Sequence, residues 1–309
     1  MSFLYFLEGL RNPVCDAFFS LITMLGEETA FMAIAIVVFW CFDKFQGYFL
    51  LITGFLGTII NQFLKMLFRV PRPWVKDPNF NVVGGSTEGA GGFSFPSGHT
   101  QTSVTLYGGI ARANKQKWVR ISMIALCVLV PFSRLYLGVH TPLDVGVSIA
   151  ISLLLIFGGY PVFKRAEKDG KAMYIIIASL FTLVVAYTLF VTLYKFPSEV
   201  YNEVNYHNLE SARKNAFTLL GCAVGLFAVY FLDVKYIKFE VKAGWWAQII
   251  KVVIGLGLVI AVKELARFPL DAIFNGHLIA SSIRYFLVVI TAGVLWPLTF
   301  KWFSKLGNK

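Results

Sequence analysis

The chain has 309 residues, of which 57% are hydrophobic and only 15% are charged. A soluble domain carries about 25% charged residues, so this composition excludes an ordinary soluble enzyme. The net charge of +11 would suit a nucleic-acid partner, but no basic block or basic patch interleaved with aromatic residues supports one. The basic residues lie between long apolar runs instead, which predicts an all-α membrane protein with several spans.

Two further features narrow the class of protein. The four cysteines stand singly in apolar segments, which predicts neither a disulfide framework nor a metal site. Met1–Leu10 lacks a basic start and a small-residue cleavage site, so we expect no cleavable signal peptide.

The first predicted element, residues 2–26, is interrupted by Arg11-Asn12-Pro13. We interpret region 1–27 as an amphipathic helix in the membrane interface, with a true span as the alternative. Nine apolar runs of near-spanning length follow: 28–42, 46–68, 97–113, 118–137, 141–163, 173–194, 212–232, 244–264 and 279–301. The run at 97–113 is rich in hydroxyl and amide side chains and should be buried among other helices.

The basic loops predict the orientation of these spans. Lysine and arginine residues cluster around the ends of the third, fifth, seventh and ninth runs. Alternation of spans brings these four clusters to one face, which should be cytoplasmic. Loops 69–96, 133–142, 195–211 and 265–278 then lie on the opposite face. The stretch 76–95 is rich in glycine and should form a flexible flap, and loop 195–211 is acidic.

The first of three motif segments closes the second run and reads Lys65-Met-Leu-Phe-Arg69-Val-Pro71-Arg72-Pro73. Lys65, Arg69 and Arg72 share a face if the helix continues that far, although the prolines predict its end nearby. Snorkelling of these side chains to lipid headgroups is one interpretation. A lysine and an arginine aimed at one point would suit a phosphoryl group.

The second segment, Phe95-Pro96-Ser97-Gly98-His99-Thr100, opens the third run. A helix that begins here directs free backbone N–H groups at an anion. Ser97 adds a hydroxyl donor, and Gly98 allows a ligand to approach the backbone closely. The alternative is a plain Ser97 N-cap followed by a buried histidine.

The third segment runs from Ser133 to Asp144 and contains Arg134 and His140. Such residues at the mouth of a hydrophobic helix are costly unless they serve a function. His140 and Asp144 straddle one turn, so an imidazole N–H can meet the carboxylate. Thr141 to Asp144 also resembles a capping sequence, so Asp144 could serve only the helix start.

Span alternation places the three segments on the same face of the membrane. Together they predict a phosphoryl-transfer site in which Arg134 holds a phosphate and His140 attacks it. His99, the second histidine in these segments, is available to protonate the leaving oxygen. No carboxylate cluster suited to Mg²⁺ accompanies the segments, so we expect no metal and no other cofactor.

The three segments resemble the signature motifs of the type-2 phosphatidic acid phosphatase superfamily: Lys-x6-Arg-Pro, Pro-Ser-Gly-His and Ser-Arg-x5-His-x3-Asp. No signature position departs from the pattern. The resemblance implies that His140 is a nucleophile forming a phosphohistidine, that Asp144 orients it, and that His99 is the general acid. The phosphate-binding residues that it implies are Lys65, Arg72, Ser97, Gly98 and Arg134. Arg69 is not a signature residue.

The resemblance also implies a six-helix phosphatase core, which we place at 28–195, with additional transmembrane helices at 196–309. The layout is similar to the glucose-6-phosphatase and sphingosine-phosphate phosphatase branches, but layout does not choose a substrate. After about residue 200 we find no ionisable cluster that resembles a catalytic set.

We therefore expect an integral-membrane, metal-independent phosphatase of the plasma membrane that acts on a lipid phosphate or diphosphate at the non-cytoplasmic face. Undecaprenyl diphosphate, phosphatidic acid, phosphatidylglycerol phosphate and a sphingoid-base phosphate all fit, and the prenyl diphosphate ranks first on general grounds. The alternatives are a lipid transporter or binding protein that retains the phosphate cradle, a phosphatase of soluble sugar phosphates, and a vanadate-dependent haloperoxidase. The expected partners are the lipid substrate and the bilayer, with the oligomeric state left open.

Overall fold

The computed structural model describes residues 1–87, 91–197 and 203–306. Within these ranges the secondary structure is helical and contains no strand, which confirms the predicted all-α class. The α-helices are α1 (Ser2–Glu8), α2 (Pro13–Met24), α3 (Glu28–Cys41), α4 (Lys44–Phe68), α5 (Pro73–Lys76), α6 (Gly98–Ala113), α7 (Lys117–Tyr136), α8 (Pro142–Ala166), α9 (Gly170–Leu193), α10 (Glu203–Leu232), α11 (Trp245–Leu265), α12 (Arg267–Ile273), α13 (Ile279–Ile290) and α14 (Phe300–Phe303).

Six helical segments in the described residues are long and apolar enough to cross a membrane: Lys44–Lys76, Lys117–Tyr136, Pro142–Ala166, Gly170–Leu193, Tyr206–Ile237 and Ile279–Phe303. A seventh span results if α2 and α3, which meet at a bend of 51°, cross together. The predicted runs at 97–113 and 244–264 form α6 and α11, which fall outside this set. The chain is thus an integral membrane protein, while the count of nine spans stays a prediction.

The amino-terminal element is broken where the sequence predicts. The α1 helix ends at Glu8, and α2 begins at Pro13 after Asn12, whose side chain accepts a hydrogen bond from the Cys15 N–H (3.0 Å). Proline at the first helical position loses no hydrogen bond there, so the sequence favours a new helix start. The α2 helix packs against α7, where the ring centroids of Phe19 and Tyr136 lie 4.4 Å apart.

The chain divides into two compact units that alternate along the sequence. The first comprises Met1–Met32, Leu50–Lys164 and Pro197–Leu209, and the second comprises Ala33–Phe49, Arg165–Phe196 and Glu210–Lys309. The division of the chain into regions 1–27, 28–195 and 196–309 stays a prediction. Glu199, which contributes to the acidic loop 195–211, lies outside the described residues.

The α6 helix is buried in the first unit, as its polar composition predicts. Gln101 and Thr105 are almost fully buried, and the Gln101 side-chain amide donates to the Ser152 hydroxyl of α8 at 2.8 Å. Ser148, one turn earlier on α8, donates its hydroxyl to the Ser97 carbonyl at 3.0 Å. These hydrogen bonds satisfy polar groups that would be costly against lipid. They also fix the start of α6 relative to the start of α8.

Among the described residues of the second unit, Lys251 and Asp233 are buried charged side chains, and each has partners within that unit. Lys251 of α11 is fully buried and donates to the carbonyl oxygens of Trp40 (2.8 Å) and Val241 (3.2 Å). Buried Asp233 accepts from Lys44 at 2.9 Å and from the Tyr48 hydroxyl at 3.3 Å. Asp233 is thus neutralised by an ion pair with Lys44, while the ammonium group of Lys251 is hydrogen-bonded to neutral carbonyl groups.

Gly138 shapes the turn between α7 and α8 that carries His140. Its backbone is left-handed, with φ +82°, a conformation that only glycine adopts without strain. A Cβ atom there would lie 2.7 Å from Arg11 Nη2 and 2.9 Å from the Phe80 ring. The turn therefore requires glycine for its conformation and for the space around it.

We expect Gly138→Ala to destabilise the protein by about 1–3 kcal/mol, the usual cost of a strained backbone conformation. Thermal unfolding of the purified protein in detergent measures this loss. The matched control is Gly146→Ala in α8, whose Cβ would have no atom within 4 Å. That control should keep or raise the melting temperature, because alanine favours helix over glycine. Equal melting temperatures for both variants would contradict the role of Gly138.

Candidate active site

A cavity of about 320 Å³ lies in the first unit. Six of the eight predicted site residues line it: Lys65, Arg72, Gly98, His99, Arg134 and His140. The other two, Ser97 and Asp144, are buried but do not line this cavity. The three motif segments therefore come together, as alternation of the spans predicts.

The path of the chain from Lys65 to Arg72 differs from the continuous helix that a shared helical face assumes. The α4 helix ends at Phe68, and Arg69 turns the chain with φ 49°. Arg72 is extended and directly precedes the short α5. A single helical face for Lys65, Arg69 and Arg72 is thus wrong, because the helix ends before Pro71, as the prolines indicate. Arg69 donates to the Met66 carbonyl of its own helix end at 3.1 Å.

Lys65 and Arg72 are held by carbonyl oxygens of the glycine-rich loop. Lys65 Nζ donates to the Phe93 carbonyl. Arg72 donates from Nη2 to Gly91 (2.7 Å) and from Nε to Gly92 (3.1 Å). The loop thus contributes acceptors beside the cavity. Residues 88–90 of the predicted flap lie outside the described residues, and its flexibility stays a prediction.

The contact between Arg72 and His140 assigns the tautomer of the histidine. Arg72 Nη1 lies 2.9 Å from His140 Nε2. A guanidinium only donates hydrogen bonds, so Nε2 must be the acceptor. The neutral imidazole then carries its proton on Nδ1, and the Nε2 lone pair accepts the hydrogen bond from Arg72 Nη1. A nucleophilic role requires that Arg72 release this lone pair when a substrate binds.

Asp144 performs two tasks. Its Oδ2 accepts hydrogen bonds from the Thr141 N–H (2.8 Å) and the Ser94 hydroxyl (2.6 Å), and the Asp144 N–H donates to Thr141 Oγ1 at 3.3 Å. This is the reciprocal capping arrangement that the sequence suggests. The same Oδ2 lies 3.5 Å from His140 Nδ1, which has no hydrogen-bond partner among the described residues. Asp144 both caps α8 and faces the protonated edge of the imidazole.

The start of α6 offers free backbone donors. Ser97 is the N-cap, and its hydroxyl oxygen accepts from the Thr100 N–H at 3.4 Å. The N–H groups of Gly98 and His99 have no hydrogen-bond acceptor among the described residues. Because the positive end of the helix dipole is here, these N–H groups form a ready anion site. Ser97 organises that site by capping the helix.

The position of the Arg134 side chain is fixed by the amino-terminal helix α2. Arg134 is 3% exposed, its Nη1 donates to Thr23 Oγ1 of α2 at 2.6 Å, and its Nε has no partner in the described chain. The α2–α3 elbow continues at Gly26, where a Cβ would lie only 3.1 Å from the His99 carbonyl oxygen. The elbow is therefore part of the wall of the site.

Sequence reasoning missed Ser94, which holds Asp144, and Thr23, which holds Arg134. Ser94 directly precedes the second motif segment, and this position was the one weak indication in the sequence that it belongs to the site. Thr23 lies 111 residues from Arg134, and no spacing rule connects them.

The surroundings of His140 favour its neutral form. His140 is 2% exposed and lies between α7 and α8, outside the spanning segments. Burial lowers its pKa, and the positive charges of Arg72 and Arg134 lower that pKa further. The imidazole therefore keeps its Nε2 lone pair at pH values where an ordinary histidine begins to protonate.

Comparisons with known proteins identify the family of the chain. The PAP2 superfamily matches residues 45–168, and the family "PAP2 superfamily phosphatase, transmembrane extension" matches residues 217–309. Lipid A 4'-phosphatase of Porphyromonas gingivalis is 30% identical over 170 residues, covering 52% of this chain and 71% of that protein. Undecaprenyl-diphosphatase BcrC of Bacillus subtilis is 27% identical over 153 residues, covering 48% of this chain and 74% of that protein.

Among solved structures, the crystal structure of Aquifex aeolicus LpxE is similar over 50% of this chain and 90% of that one, with 26% identity and a TM-score of 0.45. The family matches cover all three motif segments and most of the carboxyl-terminal helices. The chain belongs to the PAP2 superfamily, in which it is an integral-membrane phosphatase that hydrolyses phosphoric monoesters or diphosphates.

Proposed function

We propose that this phosphatase hydrolyses a lipid phosphate or diphosphate through a phosphohistidine on His140. The supporting observation is the orientation of the buried imidazole, whose Nε2 faces Arg72 at 2.9 Å while its Nδ1 faces Asp144 at 3.5 Å. One nitrogen is thus the nucleophile and the other carries the proton. The relatives named above act on lipid phosphates by their names, which supports a lipid substrate here.

Binding of the phosphate uses donors that the cavity already holds. The Nε of Arg134 and the N–H groups of Gly98 and His99 lack acceptors in the described chain. Lys65 and Arg72 exchange loop carbonyl oxygens for phosphate oxygens as the substrate enters. Charge-assisted hydrogen bonds to phosphate are stronger than those to neutral carbonyl groups, so the exchange favours the bound state.

The chemistry follows in two displacements. Arg72 turns from His140 Nε2 to the phosphate, and His99 takes up a proton when the phosphate anion binds beside the cations. His140 Nε2 then forms a bond to phosphorus as the bond to the leaving oxygen breaks, and His99 gives that oxygen its proton. The imidazolium that forms on His140 keeps its Nδ1 proton, which Asp144 stabilises. Water then attacks the phosphohistidine, His99 accepts a proton from it, and free phosphate leaves His140 neutral again. The surrounding cations stabilise the charge that develops on the phosphoryl oxygens.

The position of the site supports a substrate that is anchored in the membrane. The cavity collects residues from the end of α4, the end of α7 and the start of α6, so it lies near the ends of membrane helices. The distribution of basic loops favours the non-cytoplasmic face for this edge, and the plasma membrane is the proposed location. The core helices of region 28–195 would supply the chemistry, with additional helices in region 196–309.

The first test of the mechanism is removal of the nucleophile. Purified protein should release phosphate from a panel of lipid phosphates with EDTA present, and His140→Ala should lower the rate more than about a thousandfold. The matched control is His207→Ala, since His207 is exposed and does not line the cavity. Unimpaired turnover by His140→Ala would contradict the mechanism.

A second test separates the two tasks of Asp144. Asp144→Asn keeps an oxygen for capping but loses the charge that stabilises the imidazolium, so turnover should fall about a hundredfold or more. Thr141→Ala removes the capping hydroxyl and should cost about 1 kcal/mol of stability while turnover stays near that of the wild type. Wild-type activity in Asp144→Asn would leave that residue a helix cap only.

A third test measures the protonation of His140 directly. An ordinary histidine is half protonated at about pH 6.5. Because burial and two arginines lower the pKa of His140, ¹⁵N NMR of the ligand-free protein should find it neutral there, with the proton on Nδ1. The chain has four histidines, so single substitutions assign the signals. A titration midpoint at or above 6.5 would contradict this electrostatic account.

A further inference from the structure

The break Arg11-Asn12-Pro13 between α1 and α2 holds Tyr136, the last residue of α7. Arg11 Nε donates to the Tyr136 carbonyl oxygen at 3.1 Å. The Asn12 N–H donates to the Tyr136 hydroxyl at 3.3 Å, and that hydroxyl donates to Asp16 Oδ1 at 2.8 Å. The end of α7 is therefore held at its backbone and at its side chain by residues 120 to 125 positions earlier in the chain.

The backbone contact meets a need of the helix end. The Tyr136 carbonyl belongs to the last turn of α7, where carbonyl oxygens have no N–H partner within the helix. Arg11 supplies a donor there, and its positive charge lies at the negative end of the helix dipole. The next carbonyl, that of Leu137, accepts the Val83 N–H at 3.2 Å. Two successive carbonyl groups at the start of the α7–α8 turn thus have donors from distant parts of the chain.

The same guanidinium also binds the loop 77–83. Arg11 Nη1 donates to the Asn81 carbonyl oxygen at 2.7 Å, and Arg11 Cζ lies 5.4 Å from the centroid of the buried Phe80 ring. The loop is attached to α1 as well, because Glu8 Oε1 accepts a hydrogen bond from Asn81 Nδ2 at 2.8 Å. Arg11 therefore joins the α1–α2 break, the loop 77–83 and the end of α7.

Gly138, two residues before His140, fits closely against Arg11 and Phe80. A Cβ atom at Gly138 would lie 2.7 Å from Arg11 Nη2 and 2.9 Å from the Phe80 ring, so these two side chains form the wall behind the turn. Arg11 is not among the residues that line the active-site cavity. It thus packs against the backbone that carries His140 from outside the site.

The position of this turn matters most once a phosphate is bound. In the ligand-free protein Arg72 Nη1 lies 2.9 Å from His140 Nε2, and nucleophilic attack requires that this contact be released. The imidazole then keeps Asp144 beside its Nδ1, and its direction towards phosphorus depends on the backbone of residues 136–140. Misplacement of a reacting group by about 1 Å can cost about a hundredfold in rate.

Resting on the function proposed above, we propose that Arg11 is a positioning residue for His140. Its guanidinium holds the α7–α8 turn through the Tyr136 carbonyl and the Phe80 ring, and thereby keeps the imidazole in line with the bound phosphate. Arg11 touches neither the phosphate nor the reacting atoms. Its removal therefore slows the chemical step and leaves the binding of phosphate unchanged.

The test compares Arg11→Gln with a matched variant of the same break, Asn12→Ala, in the full-length protein in detergent. Arg11→Gln removes the fork that reaches both carbonyl groups, so kcat for a lipid phosphate should fall about tenfold to a hundredfold. The inhibition constant of inorganic phosphate should stay within about twofold of the wild-type value, because the cradle is intact. Asn12→Ala removes the N-cap of α2 but keeps Arg11, so it should lower the melting temperature and keep kcat.

A spectroscopic measurement reports the orientation of the imidazole directly. With inorganic phosphate bound, ¹⁵N NMR should find one set of His140 signals in the wild type and in Asn12→Ala. Arg11→Gln should show broadened or doubled His140 signals, because the turn then samples more than one position. If Arg11→Gln does not fold, Arg11→Lys is measured in the same way, since it keeps the charge but not the planar fork, and its kcat should also fall.

The outcomes separate this inference from the proposed function. Wild-type kcat in the folded Arg11 variant overturns the inference and leaves the phosphohistidine mechanism intact. An inhibition constant of phosphate that rises as much as kcat falls also overturns it, because Arg11 then supports the cradle instead of the nucleophile. An equal loss of kcat in Asn12→Ala overturns it too, since the loss then follows stability alone. Unimpaired turnover by His140→Ala overturns the proposed function and this inference with it.

Discussion

Three buried cations surround one small cavity, and the rest of the first unit is arranged to hold them. Lys65, Arg72 and Arg134 are 7%, 6% and 3% exposed. Their hydrogen bonds go mainly to carbonyl oxygens of residues 91–93 and to the Thr23 hydroxyl, which are neutral groups. Neutral acceptors satisfy these donors, while the buried Asp144 carboxylate and the cavity-lining Glu27 offset part of the positive charge. A phosphate anion would offset more of it and would give Arg134 Nε, which has no partner among the described residues, an acceptor.

The orientation of His140, the proposed nucleophile, depends on the same arrangement. Arg72 fixes the Nε2 lone pair of His140, and Asp144 faces the other nitrogen while it caps α8. The Asp144 carbonyl accepts the Ser97 N–H at 3.2 Å, so the starts of α6 and α8 are joined directly. The three motif segments are therefore one hydrogen-bonded unit. A substitution in any of the three segments should change the orientation of the His140 imidazole.

Much of this could be predicted from the sequence, and the failures have physical causes. The apolar runs predicted the helices, and alternation of the spans predicted that the three motif segments would meet, because both inferences rest on local composition. The turn at Arg69 was missed since a left-handed backbone at a non-glycine residue has no pattern. Ser94, Thr23 and Glu27 reach the site only through tertiary contacts. The number of spans could not be predicted from segment length and polarity. The polar helix α6 is covered by neighbouring helices, so its own composition does not report whether it crosses the membrane.

The proposed mechanism depends above all on covalent catalysis by His140, and stereochemistry at phosphorus tests this step most directly. Each in-line displacement inverts the configuration, so two successive displacements give net retention. A lipid phosphorothioate made chiral with oxygen isotopes, hydrolysed in isotopically labelled water, reports the outcome even if the intermediate never accumulates. A phosphohistidine intermediate predicts retention of configuration in the released thiophosphate. Inversion would contradict it, because water would then have attacked the substrate directly.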